Sequence, residues 1–159
     1  MKIFSYLSLI KKKLRPLKMS YSFGTIDILV NYFFKNKKYG VFVDVGCQNP
    51  ISNNNTYLLY KKKKWSGVNI DLDQKNIDLF NLVRQRDINI KAAVSSGNLK
   101  KKIYFYHDKS AINTIEKKIS LRQKAKVKKI IDINTVTLNQ LLIKNKIKKI
   151  DFLTIDVEG

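Results

Sequence analysis

Val41-Phe42-Val43-Asp44-Val45-Gly46 is the stretch that decides the fold. Apart from Asp44, every residue from 41 to 45 is apolar, and three are valine. So short a run of β-branched and aromatic residues predicts a strand buried on both faces, as strands of a parallel sheet are. It ends on an acid and a glycine. In open α/β sheets, ligands bind outside the carboxyl ends of the strands. Asp44 and Gly46 therefore mark a candidate site as well as a strand end.

Working outward, Ser66 to Ile70 predicts a second strand with Asp71 at its end. Asp73 is placed to cap a helix bearing Ile77, Phe80 and Val83. Ile88 to Val94 predicts a third strand, and Ile150 to Ile155 a last apolar one, followed by Asp156-Val157-Glu158-Gly159. Asn53 to Asn55 are expected to cap a helix carrying Tyr57, Leu58 and Leu59. Thr137 to Gln140 is a capping box opening a helix with Leu138, Leu141 and Leu142. Ile103 to Tyr106 reads as an edge-like aromatic strand, and the Lys-rich residues 110–130 suggest no element. Upstream, Ile26, Leu29, Val30, Phe33 and Phe34 mark an amphipathic helix. Strands alternating with helices predict a doubly wound α/β fold with a mainly parallel sheet.

A chain of 159 residues makes one domain at most. No apolar run approaches the roughly 20 residues that a membrane-spanning helix needs. Ile3, Leu7, Ile10 and Leu14 recur at helical spacing with Lys opposite, until Pro16 ends the pattern. Residues 1–19 thus form a basic amphipathic segment, either packed on the domain or lying on a membrane surface. Its apolar start precedes Lys11-Lys12-Lys13, the wrong order for a secretory signal. The single cysteine, Cys47, excludes an intrachain disulfide and suits a reducing, cytoplasmic setting. No His/Asp/Glu cluster has ligand spacing, so no metal is expected.

The net charge of +20 invites a nucleic-acid reading. Yet of 32 basic residues only Arg15, Arg84, Arg86 and Arg122 are arginine, the better fork for phosphate. The lysine runs are scattered, with no aromatic residues interleaved in one patch. They read as solvated surface, and no specific nucleic-acid partner is expected.

The turn after the first strand is more informative. Gly46 permits close backbone approach to a ligand. Asp71 lies 25 residues beyond it, about one helix plus one strand, where a carboxylate meets a cofactor ribose. The fingerprint Gly-x-Gly-x-x-Gly is missing, since Cys47-Gln48-Asn49-Pro50 follow Gly46. A pyrophosphate needs open backbone N–H groups, so the turn argues against a nicotinamide or flavin dinucleotide and leaves a nucleoside-like ligand without phosphates.

Several stretches in order resemble the FkbM-type methyltransferases. They are Val43 to Pro50 (VDVGCQNP), Ser52 to Leu59 (SNNNTYLL), Trp65 to Asp71 (WSGVNID), Ile90 to Ser95 (IKAAVS) and Ile150 to Gly159 (IDFLTIDVEG). Tyr21 to Leu29 resembles the piece that precedes the first strand in that family, so the likeness covers roughly residues 20–159. It implies a Rossmann-like class I methyltransferase fold and S-adenosylmethionine as cofactor. It implies that the turn of Asp44, Gly46 and Cys47 receives the methionine part. Asp71, with Leu72 beside it, would hold the ribose, and Ala92 and Ala93 would lie along the adenine. Asp156 and Glu158 match the acidic ending beside the methyl group, where either would act as base or orient the cofactor. The implied acceptor is the hydroxyl of a sugar, a glycan or a small molecule. Cys47 stands where Ala is usual and Lys64 where Gly is usual. A class I sheet has seven strands, and the last strand here is the fourth, so the chain reads as the front part of such a domain.

Methyl transfer to a hydroxyl needs alignment and removal of a proton. Asp156 or Glu158 is the candidate base, and His107 the one alternative imidazole, better read as an ordinary histidine. Cys47 has no cationic partner in reach by sequence and is not expected to be a nucleophile. Three rival readings remain: a cofactor-holding remnant without turnover, an RNA-binding protein or RNA methyltransferase, and a dehydrogenase.

Overall fold

The computed structural model describes residues 19–105 and 129–157. The amphipathic pattern of residues 1–18, His107, most of the Lys-rich stretch and Glu158 lie outside them. The described chain divides into two compact units, one of residues 19–91 and 149–155, the other containing 92–105, 129–148, Asp156 and Val157.

The first unit is a four-stranded parallel sheet whose strands lie side by side in the order 88–91, 66–71, 41–45, 152–155. Its strands are β1 (Val41–Val45), β2 (Ser66–Asp71), β3 (Ile88–Lys91) and β7 (Phe152–Ile155). β1 lies at the centre and is buried on both faces, with Phe42 and Val43 fully enclosed. The register sets Val41 beside Ser66 and Val45 beside Ile70. Gly67 makes this pairing possible, because a Cβ there would lie 2.0 Å from the Phe42 carbonyl oxygen.

Three helices accompany the sheet: α1 (Ile26–Phe33), α2 (Tyr57–Lys63) and α3 (Gln74–Val83). Val30 of α1 and Leu59 of α2 pack with Phe42 and Trp65. Ile77, Phe80 and Val83 of α3 are buried as their spacing predicts, each contributing about 1.5–3 kcal/mol by leaving water. Asp73 caps α3 by accepting from the Lys75 N–H. The apolar residues of α1 divide differently from the expectation: Val30 is buried, while Ile26, Leu29, Tyr32 and Phe33 stay exposed. Asp27 fills the inner side instead, accepting from the Tyr21 N–H at 2.6 Å and from the hydroxyls of Ser20 and Ser22.

The second unit holds β4 (Ala93–Val94), β5 (Lys100–Phe105), β6 (Lys129–Val136) and α4 (Leu138–Lys144). β6 runs parallel to β4 and antiparallel to β5. The single third strand expected over 88–94 is thus two. Lys91 pairs with Asp71 in one sheet and Ala93 with Thr135 in another, and Ala92 stands between. β5 is an edge strand, as read. The capping box of Thr137 and Gln140 forms at α4. Among the described residues no helix is long and apolar enough to cross a membrane.

Candidate functional site

Parallel pairing brings the carboxyl ends of β1 and β2 together. Gly46, one residue past β1, takes a positive φ of 82°, where a side chain would strain. The chain then folds over the end of β2. The N–H groups of Gly46 and Cys47 both donate to the Ile70 carbonyl, at 2.9 and 3.2 Å. The Gln48 N–H donates to Asp71 Oδ2 at 2.9 Å. Three successive amides are therefore committed to the protein itself, the opposite of an open phosphate cradle.

Asp71 is 8% exposed. Its Oδ1 accepts from the Asp73 N–H at 2.8 Å and from the Asn76 amide at 3.1 Å. With Gln48 this makes three donors on a carboxylate that accepts about four. Leu72 is half-buried between Asp71 and the helix cap at Asp73. The carboxylate thus clasps the glycine turn on one side and the start of α3 on the other.

Asp44 is buried within β1. Its Oδ2 accepts from the Asn54 amide at 3.1 Å and from the Thr56 hydroxyl at 3.2 Å. This corrects the expected cap. Thr56, not Asn53 to Asn55, occupies the N-cap of α2, and it makes no capping bond there because its hydroxyl is turned toward Asp44. Asn55 reaches Thr154 of β7 at 3.1 Å.

Cys47 contributes backbone rather than thiol. Its side chain is buried against Ile77 and Phe80. Burial, then the carboxylates of Asp44 and Asp71, push the thiol far above its usual range. The Arg84 charge, which sequence spacing did not place near Cys47, offsets only part of that rise, so burial works against thiolate character.

The sequence reading gave no role to Arg84, which lies fully buried behind this site. Its Nε forms an ion pair with Asp87 at 2.8 Å, both side chains wholly enclosed. Its other nitrogens donate to the Pro50 carbonyl, Asn54 Oδ1 and the Thr56 hydroxyl at 3.1–3.3 Å. The guanidinium stacks 4.4 Å from the Tyr60 ring centre. Burial pushes the Asp87 carboxyl upward, and Arg84 and the Asn69 and Gly67 donors offset part of that rise. The available signal was Arg84 itself, one of four arginines in a chain that otherwise uses lysine.

Asp44, Gly46, Cys47, Asp71 and Leu72 are thus drawn into one part of the first unit. Ala93 and Asp156 belong to the second unit, where Ala93 is buried in β4 and Asp156 is exposed after the end of β7. No group of three His, Cys, Asp or Glu among the described residues could hold a metal ion.

The family model described as "Methyltransferase FkbM domain" matches residues 44–159, more than two-thirds of the chain. The chain belongs to the FkbM methyltransferase family. The match begins at Asp44, and it spans the turn, Asp71 and the Arg84 cluster. Membership agrees with the Rossmann-like arrangement of the parallel sheet. No curated protein and no solved structure matches the chain.

Proposed function

We propose that this FkbM-family chain binds S-adenosylmethionine at the carboxyl ends of β1 and β2 and serves the transfer of its methyl group to a sugar, glycan or small-molecule hydroxyl, with S-adenosylhomocysteine as the leaving thioether. One observation carries the cofactor assignment: the Gly46 turn and the Asp71 carboxylate are joined by the Gln48–Asp71 hydrogen bond, with the turn's amides consumed. A seat whose amides at 46–48 are spent on the protein suits a nucleoside that carries no phosphate.

The residues divide the work. Gly46 lets a ligand approach the backbone. Asp71 accepts from a ribose hydroxyl at its remaining position, and from the second hydroxyl once the Asn76 amide yields. Asp44 faces the amino-acid part and Leu72 supplies apolar lining, while a place for Ala93 along the adenine is carried over from the family resemblance alone. The bound cofactor supplies a methyl group made electrophilic by its sulfonium. Asp156 or Glu158 takes the proton of the acceptor hydroxyl, a role carried over from the family resemblance.

Calorimetric titration with S-adenosylmethionine and with a nicotinamide dinucleotide tests the cofactor reading, and Asp71→Asn sharpens it. The wild-type chain is expected to bind the first and not the second. The variant is expected to lose about tenfold to a hundredfold in affinity, as loss of hydrogen bonds to a charged group implies. Equal affinity in the variant would sink the ribose role. A parallel methyl-transfer assay separates an enzyme from a cofactor-holding remnant.

A further inference from the structure

We infer that Arg84 is a positioning residue for the amino-acid end of this seat, acting on Asp44 through Asn54 and Thr56. The inference rests on the cofactor reading above and adds a residue that touches no ligand.

The argument is one of donor and acceptor direction. A side-chain amide can turn by half a revolution, exchanging its oxygen and its NH₂. Asn54 Oδ1 accepts from the Thr56 N–H at 3.1 Å and from Arg84 at 3.3 Å, and the Thr56 hydroxyl oxygen lies 2.9 Å from it. Arg84 offers only donors, so it holds the oxygen on its own side. The NH₂ is thereby left facing Asp44 Oδ2 and the Cys47 carbonyl. Were the amide reversed, an oxygen would face the Asp44 carboxylate. Thr56 is governed in the same way. Its oxygen accepts from Arg84 at 3.1 Å, which leaves its single proton for Asp44 or Asn54.

Arg84 can do this because it is itself fixed. Asp87 holds Nε, and Asp87 is in turn held by the Gly67 N–H and the Asn69 amide. The rings of Tyr60 and Phe42 flank the guanidinium. Lysine has neither the fork nor the plane for such a place. Arg84 thus acts on the Asp44 carboxylate through the two side chains that both of them bond.

The test compares two probes on three chains: wild type, Arg84→Lys and Asn54→Leu. The probes are S-adenosylmethionine and 5′-methylthioadenosine, which keeps adenine and ribose and lacks the amino-acid part. Thermal melting establishes that each chain is folded. Asn54→Leu leaves the Arg84–Asp87 pair in place and decides the matter if Arg84→Lys does not fold. The expected result is at least a tenfold loss for S-adenosylmethionine, with methylthioadenosine affinity unchanged within about twofold. Two affinities that fall together, or neither falling, would overturn the inference. A wild-type chain that binds neither probe overturns the cofactor reading beneath it, a result distinct from wild-type selectivity that the variants leave intact.

Discussion

The two units hide their strands to different degrees. In the first, β1 is enclosed on both faces, and the charged side chains around it are tied down: Asp44 by Asn54 and Thr56, Arg84 by Asp87, Asp71 by three donors. In the second, β6 buries only Thr135 among residues 130–136, and β5 begins with three successive lysines, Lys100 to Lys102. A doubly enclosed strand must be almost wholly apolar, and any polar group near it must find a partner or cost free energy. A half-solvated strand alternates instead, and its polar side chains can stay in water. The first unit is accordingly where side chains are held in fixed geometry, as the proposed ligand seat requires.

Four measurements can break or sharpen this contrast. The largest effect belongs to Asp87→Ala, which strands the Arg84 charge in the interior. Urea unfolding is expected to show a loss of about 3–5 kcal/mol, the usual cost of removing one partner from a buried pair. A loss below 1 kcal/mol would mean that the cluster is not enclosed. Next, Gly67→Ala forces a methyl group onto the Phe42 carbonyl. A destabilisation of about 2–3 kcal/mol is expected from overpacking, visible as an earlier thermal midpoint. In the second unit, Thr135→Val removes the hydroxyl that donates to the Gly97 carbonyl at 2.7 Å and accepts from the Leu99 N–H at 2.9 Å. Faster amide exchange at Leu99 and a loss of about 1–2 kcal/mol are expected. A larger loss than that of Asp87→Ala would reverse the comparison.

The smallest effect concerns acid. Asp151 accepts from Lys37 at 2.7 Å and from the Val41 N–H at 2.9 Å, and these bonds hold its carboxyl below the usual value of 3.8. A depressed carboxyl pKa gives stability that is fully present well above pH 3.8 and is lost as pH falls through the folded-state value. Asp151→Asn is therefore expected to flatten the acid limb of the stability curve below about pH 4. An unchanged acid limb would show that the pair at the start of β1 contributes nothing.

Much of the first unit was legible in the sequence, and particular residues show why. The β1 run, the strand ending at Asp71 and the Ile77-Phe80-Val83 face are local patterns whose burial leaves an unmistakable period. The capping residues Asp73 and Thr137 act within three residues of themselves. β6 was missed, although Ile131-Asp132-Ile133-Asn134-Thr135 alternates, because the Lys-rich stretch before it dilutes the signal. The Asn53 to Asn55 run suits a cap by local pattern, because short polar residues before an apolar run do so. Its members were instead claimed by Asp44 and Thr154, partners 10 and 99 positions away.

The amino-acid sequence by itself determined the α/β class, the strand ends that carry Asp44, Gly46 and Asp71, and the absence of a dinucleotide fingerprint. Each of these depends on residues close together in the chain. Only the tertiary structure decided that the amides of 46–48 are spent on β2, that the Cys47 thiol points into the core, and that Arg84 stands behind Asp44. Those facts depend on which distant groups meet in the interior. There a donor must face an acceptor, whatever the spacing between them, because no water is present to take its place.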